Sequence, residues 1–250
     1  MVMEIIQATN HAAPIVLIYG GEGEGKTTLA SKFLNSVWFL QEPGLPRDVS
    51  VPAMKGVDSF EGTLNGLRYL HSEDHPYETL VIDTLDAFEP HVLDYTCAKN
   101  NWKNIEQPSY GKGWLAADET WRRFLNGIVA VRNKRNMTIV MIAHATIERI
   151  DDPRAPSYTS YQPKLHKRAR ALVVDACDVV GFLGRELRVV TDDGGFRERT
   201  RATAGAGRYL FVEGRPSFTA KNRYGMGEKI PIPPDLKIET LTQHWRKDPP

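Results

Sequence analysis

The chain of 250 residues holds only two cysteines, Cys97 and Cys177. Two such distant thiols give no disulfide framework and no metal-ligand spacing, which argues against a disulfide-stapled scaffold and fits a reducing compartment. Neither sign of charge is in surplus: 32 Lys and Arg against 31 Asp and Glu leave a formal net charge of +1. No global field draws the chain to nucleic acid, so any such binding must use local patches. No apolar run reaches membrane-spanning length, and no membrane partner is expected. Met1-Val2-Met3-Glu4 has neither a basic n-region nor a long apolar h-region. A signal peptide is therefore not expected, and the cytoplasm is the expected location. Internal repeats and low-complexity tracts are also missing.

What is present centres on Gly20 to Thr27, which reads G-x-x-x-x-G-K-T. Pro14 to Tyr19 is a short apolar run suited to a buried parallel strand. Thr28 to Leu34 suits a helix with Leu29, Phe33 and Leu34 inward. A strand before and a helix after are the context that a P-loop requires. The stretch Gly20, Gly21, Glu22, Gly23, Glu24, Gly25, Lys26, Thr27 and Thr28 is thus the expected cofactor-binding loop. Its glycines let backbone N–H groups converge on an anion, and the helix N-terminus adds a positive dipole end. Lys26 is expected to reach the β- and γ-phosphates of ATP, and the Thr27 hydroxyl to ligate Mg²⁺.

Further strands are expected at Ser36 to Leu40, Thr79 to Asp83 and Met137 to Ile142. Asp58-x-x-Glu61 reads as a capping box opening a helix with Phe60, Leu64, Leu67 and Leu70 on one face. Other helices are expected from about Ala87 towards Lys99, over a span holding Trp114, Trp121, Phe124, Leu125, Ile128 and Val131, and over 165–176. Residues 100–113 and 146–162 read as two long loops. In the last third, short runs at 179–183, 187–190, 197–203 and 209–212 read as antiparallel strands, with Asp192-Asp193-Gly194-Gly195 as a hairpin signal. One α/β domain over 1–230 and a proline-rich tail over 231–250 follow.

Asp83 ends an apolar strand about 55 residues after the P-loop and is the expected second Mg²⁺-holding acid, with Asp86 as its competitor. Glu42 follows the second strand, at the sheet edge where open α/β sheets bind ligands, and is a candidate for activating water. His144 follows the fourth strand and is placed to hydrogen-bond a γ-phosphate; a structural histidine is the competing reading. Lys221 and Arg223, alternating before Gly225, could clamp transferring phosphate charge. A solvated basic turn is the plainer alternative. The first loop carries Lys99, Trp102, Lys103, Tyr110 and Lys112, and the second region Arg149, Arg154, Lys164, Lys167, Arg168 and Arg170. In the first loop, cations interleaved with aromatics suit single-stranded DNA, by phosphate contact and base stacking; solvated surface charge is the competing reading for both.

Lys221-Asn222-Arg223-Tyr224-Gly225 resembles the K-N-R-F-G motif of RadA-type recombination ATPases. Gly20 to Thr27, Phe39 to Glu42, Leu80 to Asp83 and Ile142 to His144 follow in the order of the RecA-like core. The chain is similar to the small phage-encoded RecA/RadA-like ATP-binding proteins, some of them single-strand annealing recombinases, and Tyr110 to Gly113 also resembles that group. The likeness runs from about residue 12 to 230. It implies a RecA-like P-loop NTPase core, with a mostly parallel sheet flanked by helices and antiparallel strands added at the C-terminal side. It implies a Mg²⁺-dependent, DNA-stimulated ATPase that promotes annealing or strand pairing in the host bacterial cytoplasm. Glu42 matches a catalytic glutamate, His144 a polar sensor opening the second DNA-binding loop, and Lys221 and Arg223 cations that reach a neighbouring subunit's ATP. Self-association into a ring or filament follows, with a single-strand DNA-binding protein as a candidate partner. Tyr224 departs from the usual Phe. The zinc finger and protease-like domain of full RadA proteins have no counterpart here, so a core-only protein is expected. A nucleotide-gated DNA-binding or assembly protein, a helicase-like motor and a small-molecule P-loop kinase are the alternatives. Asn133 to Asn136 lacks the base-reading Asp of a GTPase.

Overall fold

The computed structural model describes residues 12–192 and 199–245. Its strands are β1 (Ile15–Gly20), β2 (Ser36–Leu40), β3 (Thr79–Asp83), β4 (Thr138–Ile150), β5 (Tyr158–Pro163), β6 (Val179–Asp192), β7 (Arg199–Phe211), β8 (Lys221–Asn222) and β9 (Lys229–Pro231). Its helices are α1 (Lys26–Ala30), α2 (Phe60–Ser72), α3 (Leu85–Asn100), α4 (Lys112–Arg135), α5 (Lys167–Ala176) and α6 (Glu239–Thr242).

The strands form one sheet in the order β2-β3-β4-β1-β6-β7-β9, with β5 added to β4 and β8 to β6. β2, β3, β4, β1 and β6 run parallel. β7, β8 and β9 join antiparallel to their neighbours, as expected for strands added at the C-terminal side. β1 is central and buried along its whole length, so both its faces must be apolar. Ile15, Leu17 and Tyr19 face a core shared with α2 to α5. Val16 and Ile18 face the opposite core, with Leu29, Ala30 and Phe33 of the α1 segment. Ile232, Leu236, Ile238 and Leu241 pack into this second core, so the proline-rich segment from Pro231 covers the α1 face of the sheet.

Several expectations change in detail. The cap of α2 is Ser59, whose hydroxyl accepts from the Gly62 N–H, and not Asp58. α3 begins at Leu85, two residues earlier than expected, because Thr84 caps it by accepting from Ala87. The expected loop over 146–162 is instead largely a β-ribbon. β4 runs on to Ile150 and pairs antiparallel with β5, from Ala145 opposite Pro163 to Ile150 opposite Tyr158. The expected short strands of the last third merge into β6 and β7, with a register shift between Arg185 and Leu187. The hairpin signal at Asp192 to Gly195 lies, apart from Asp192, outside the described residues.

Candidate nucleotide site

The P-loop leaves β1 at Gly20 and enters α1 at Lys26. Gly20 is required by close approach: a Cβ there would run into the Leu183 carbonyl of β6. Gly25 is required by its backbone, with φ 85° and ψ 31°, a left-handed conformation that L side chains avoid. Lys26 is buried, and its Nζ donates to the carbonyls of Gly20 (3.1 Å) and Gly21 (2.8 Å). Burial lowers its pKa from the usual lysine range, while the carboxylates of Asp86, Asp83, Glu42 and Glu22 oppose that shift.

β3 brings the acid. Asp83 is buried at the strand end, and its Oδ2 accepts from the Thr27 hydroxyl at 2.9 Å. Burial raises the Asp83 pKa, and the Thr27 hydrogen bond only partly offsets this. Leu40 of β2 is in register with Asp83, and the Gln41 N–H donates to the Asp83 carbonyl at 2.7 Å. That pairing delivers Glu42 to the same edge, exposed, with its Oε1 accepting from the Thr84 hydroxyl at 3.4 Å. Among the described residues no cluster of three or more His, Cys, Asp or Glu side chains could hold a metal ion. A hydroxyl and a carboxylate in contact beside a phosphate-binding loop still fit Mg²⁺, which is usually held by one or two protein ligands together with substrate phosphates and water.

β4 brings His144, in register with Gly20 itself. Asp86 clamps it twice, accepting from the His144 N–H and meeting Nδ1, both at 2.8 Å. Asp86 is thus the orienting partner of His144 and not a rival of Asp83. The ribbon of β4 and β5 rises directly from His144 and exposes Ile147 opposite Tyr161 and Arg149 opposite Thr159. Tyr19, the residue before the P-loop, donates its hydroxyl to Thr219 O (2.6 Å) and lies 3.1 Å from Tyr161 O. The strand carrying the P-loop is therefore tied to the ribbon and to the segment that leads to Lys221.

The family model described as an AAA domain matches residues 12–224, most of the chain. The chain belongs to this AAA-domain family of P-loop NTPases. A curated relative from Bacillus subtilis (strain 168), named "SPbeta prophage-derived uncharacterized protein YorG", is 25% identical over 218 residues. The match covers 83% of this chain and 64% of the relative, so the chain spans under two thirds of that protein's length.

The remaining candidates fall in two groups by their position in the fold. Lys221 and Arg223 sit at the opposite edge from the P-loop: Asn222 pairs with Val179, which pairs with Val16 at the start of β1. From there to Gly20 the strand rises roughly 13 Å. Lys221 Nζ donates to the carbonyls of Val174 (2.9 Å) and Asp175 (3.2 Å) at the end of α5. Arg223 pairs with the buried Asp178 at 3.1 Å.

Of the cations expected to meet DNA, four arginines are paired within the chain. Arg149 meets Asp151, Arg154 meets Asp152, Arg168 meets Asp118 and Arg170 meets Glu148. Arg170 is the most enclosed, with two 2.7 Å contacts that hold the ribbon against α5. Lys99, Lys103, Lys112, Lys164 and Lys167 are exposed, and Trp102 is half-buried. Tyr110 is 96% exposed at the tip of the first loop. The loop is anchored at its base, where Trp114 stacks on His166 at 3.7 Å and donates to Glu106 at 2.7 Å. Sequence reasoning missed two arginines, Arg185 and Arg208, of which Arg208 donates to the P-loop carbonyl of Glu24 at 3.2 Å. Alternation in the 208–212 run puts Arg208 with Leu210, but only the sheet order brings β7 near the loop.

Proposed function

We propose that this protein binds and hydrolyses ATP with Mg²⁺ and couples turnover to single-stranded DNA, as a RecA/RadA-like recombination ATPase of the phage single-strand annealing kind. The observation that carries this reading is convergence. Lys26, Thr27, Asp83, Glu42 and the Asp86-held His144 meet at one sheet edge, and the β4–β5 ribbon begins at that histidine.

The P-loop amides bind the phosphates, and Lys26 exchanges its two carbonyl partners for phosphate oxygens. Thr27 and Asp83 hold the Mg²⁺, which supplies charge neutralisation and Lewis acidity when bound. Glu42 accepts the proton of the attacking water. His144, fixed by Asp86, contacts the γ-phosphate and passes its loss to the ribbon, where Ile147, Arg149 and Tyr161 face outward to meet bases and phosphates. Arg223 cannot reach its own P-loop from the far edge, so it serves the ATP of a neighbouring copy in a head-to-tail ring or filament.

The test is multiple-turnover phosphate release with Mg-ATP, with and without single-stranded DNA. DNA stimulation supports the reading. Release that responds to a small acceptor would favour a kinase, and nucleotide binding without release would favour a nucleotide-gated assembly protein. The Arg223–Asp178 ion pair gives that last reading its own support, since it supplies Arg223 with a structural role.

A further inference from the structure

Arg208 on β7 stands directly opposite Arg185 on β6. Alternate residues of a strand share a face, so both arginines share the face of Leu183 and Leu210, which pack with Leu29 and Ala30 of α1. The P-loop lies against that face. Arg208 is half-buried and donates to Glu24 O, and a Cβ on Gly25 would collide with its guanidinium. It therefore rests against the outside of a loop whose N–H groups turn inward to an anion. A guanidinium offers five N–H donors, and Arg208 uses one of its own here, on Glu24. Arg185 is exposed beside it.

Like charges placed directly opposite on neighbouring strands cost stability. Among the described residues neither arginine makes an ion pair, so local folding gives no reason to keep the two together. The adjacent pocket gives one. Asp83, Asp86, Glu42 and Glu22 act on Lys26, so the site is acidic before a polyphosphate arrives. We propose that Arg208 and Arg185 form a cation pair acting in cis on the nucleotide at their own P-loop. Arg208 is a positioning residue that holds Glu24 and Gly25, and Arg185 is an exposed charge that attracts the polyphosphate. The proposal rests on the nucleotide-binding reading of the P-loop and assigns affinity to a cis pair, apart from any finger of a neighbour.

The experiment titrates Mg-ATP into wild type, Arg208→Gln, Arg208→Lys, Arg185→Gln and Lys26→Ala at low and high salt. Amide hydrogen exchange of residues 21–28 is followed alongside, without nucleotide. Arg208→Gln should weaken affinity by about tenfold, the scale of one charge-assisted hydrogen bond, and speed exchange at 24–28 while β3 stays protected. Arg208→Lys should restore part of the affinity. Arg185→Gln should lose several-fold at low salt and little at high salt; being exposed, it tests the charge without endangering the fold. If wild type binds, Lys26→Ala does not, and Arg208→Gln and Arg185→Gln bind like wild type, the cation pair is overturned and the P-loop reading stands. If wild type binds no nucleotide, both fall.

Discussion

The two ends of β1 have opposite electrostatics. At the Gly20 end, Asp83, Asp86 and Glu42 gather around the single lysine of the P-loop, and hydroxyls or a histidine are their direct partners. At the Ile15 end one buried carboxylate, Asp178, accepts from the Ile15 N–H, from Arg132 and from Arg223. Lys221 sits beside it on the last carbonyls of α5. The first end has carboxylates in excess, and on the proposed reading a metal–phosphate complex would complete it. The second end is already satisfied and has cations in excess, with the Arg223 side chain 52% exposed. Opposite ends of one strand with opposite charge suit head-to-tail contact, in which the cationic edge of one copy meets the acidic edge of the next.

The largest expected effect breaks the acidic end. Lys26→Ala removes the buried cation that faces the carboxylates and, on the proposed reading, the phosphates, so nucleotide affinity and turnover should both be lost. Calorimetric titration and phosphate release measure the two directly. Unchanged turnover would remove the ATPase reading.

The next effect separates a finger from a strut at the other end. Arg223→Ala should lower turnover by about 10³-fold, the low end for arginine fingers, with nucleotide binding at its own P-loop retained. Mixing Arg223→Ala with Lys26→Ala protein should restore part of the activity, because one of the two mixed interfaces joins an intact loop to an intact finger. Absence of recovery in a mixture shown to co-assemble would assign Arg223 to holding Asp178. The companion Asp178→Asn variant should lose about 3 kcal/mol in denaturant titration, the scale for breaking a buried pair. Its P-loop should still bind nucleotide.

The acidic end is legible in the sequence because its determinants are local. The P-loop spacing, the apolar run before it and the acid closing Thr79 to Asp83 each sit within a few residues. The second end is legible only as a motif. Lys221 and Arg223 stand out in the chain, but Asp178 gains its meaning when β8 pairs with the start of β6. The β4–β5 ribbon looks like a loop in sequence for a physical reason. Polar residues on both faces of a two-stranded extension leave no apolar period, and Pro153, Pro156 and Pro163 mark its turn and its end. Arg208 escapes a sequence reading because strand order, not spacing, puts it beside Glu24. The cap of α2 shifts by one residue because Asp58 and Ser59 are both good caps, and the hydroxyl is the one that reaches Gly62.

A smaller effect concerns the exposed lysines proposed to meet DNA. Removing Lys103, Lys112 or Lys167 singly should weaken single-strand binding modestly. Its salt dependence should flatten by somewhat less than one unit of slope for each phosphate no longer neutralised. Arg170→Ala should act differently, loosening the ribbon against α5 once Glu148 has no partner, visible as faster amide exchange in β5. An equal salt slope in the three lysine variants and wild type would move the DNA surface elsewhere.

The smallest effect is a stability change whose size depends on pH. Asp83 is buried, and burial holds its carboxyl pKa above the usual range although Thr27 donates to it. The folded protein therefore binds that proton more tightly than the unfolded chain does. The stabilisation from this proton is fully present below the unfolded value, about 3.9, and is lost as pH rises through the higher folded value. Above that folded value the ionised carboxylate is a cost that the fold carries. Asp83→Asn removes the charge but keeps an oxygen to accept from Thr27. Without divalent cations the variant should be more stable than wild type in urea at pH 7.5, and the advantage should shrink towards pH 4. Adding Mg-ATP should reverse the order, since the carboxylate holds the metal and ligand binding stabilises only the form that binds. A variant less stable at pH 7.5 without ligand would make the Asp83–Thr27 contact structural, and the acidic end of β1 would then be a packed corner and not a site held ready for a cation.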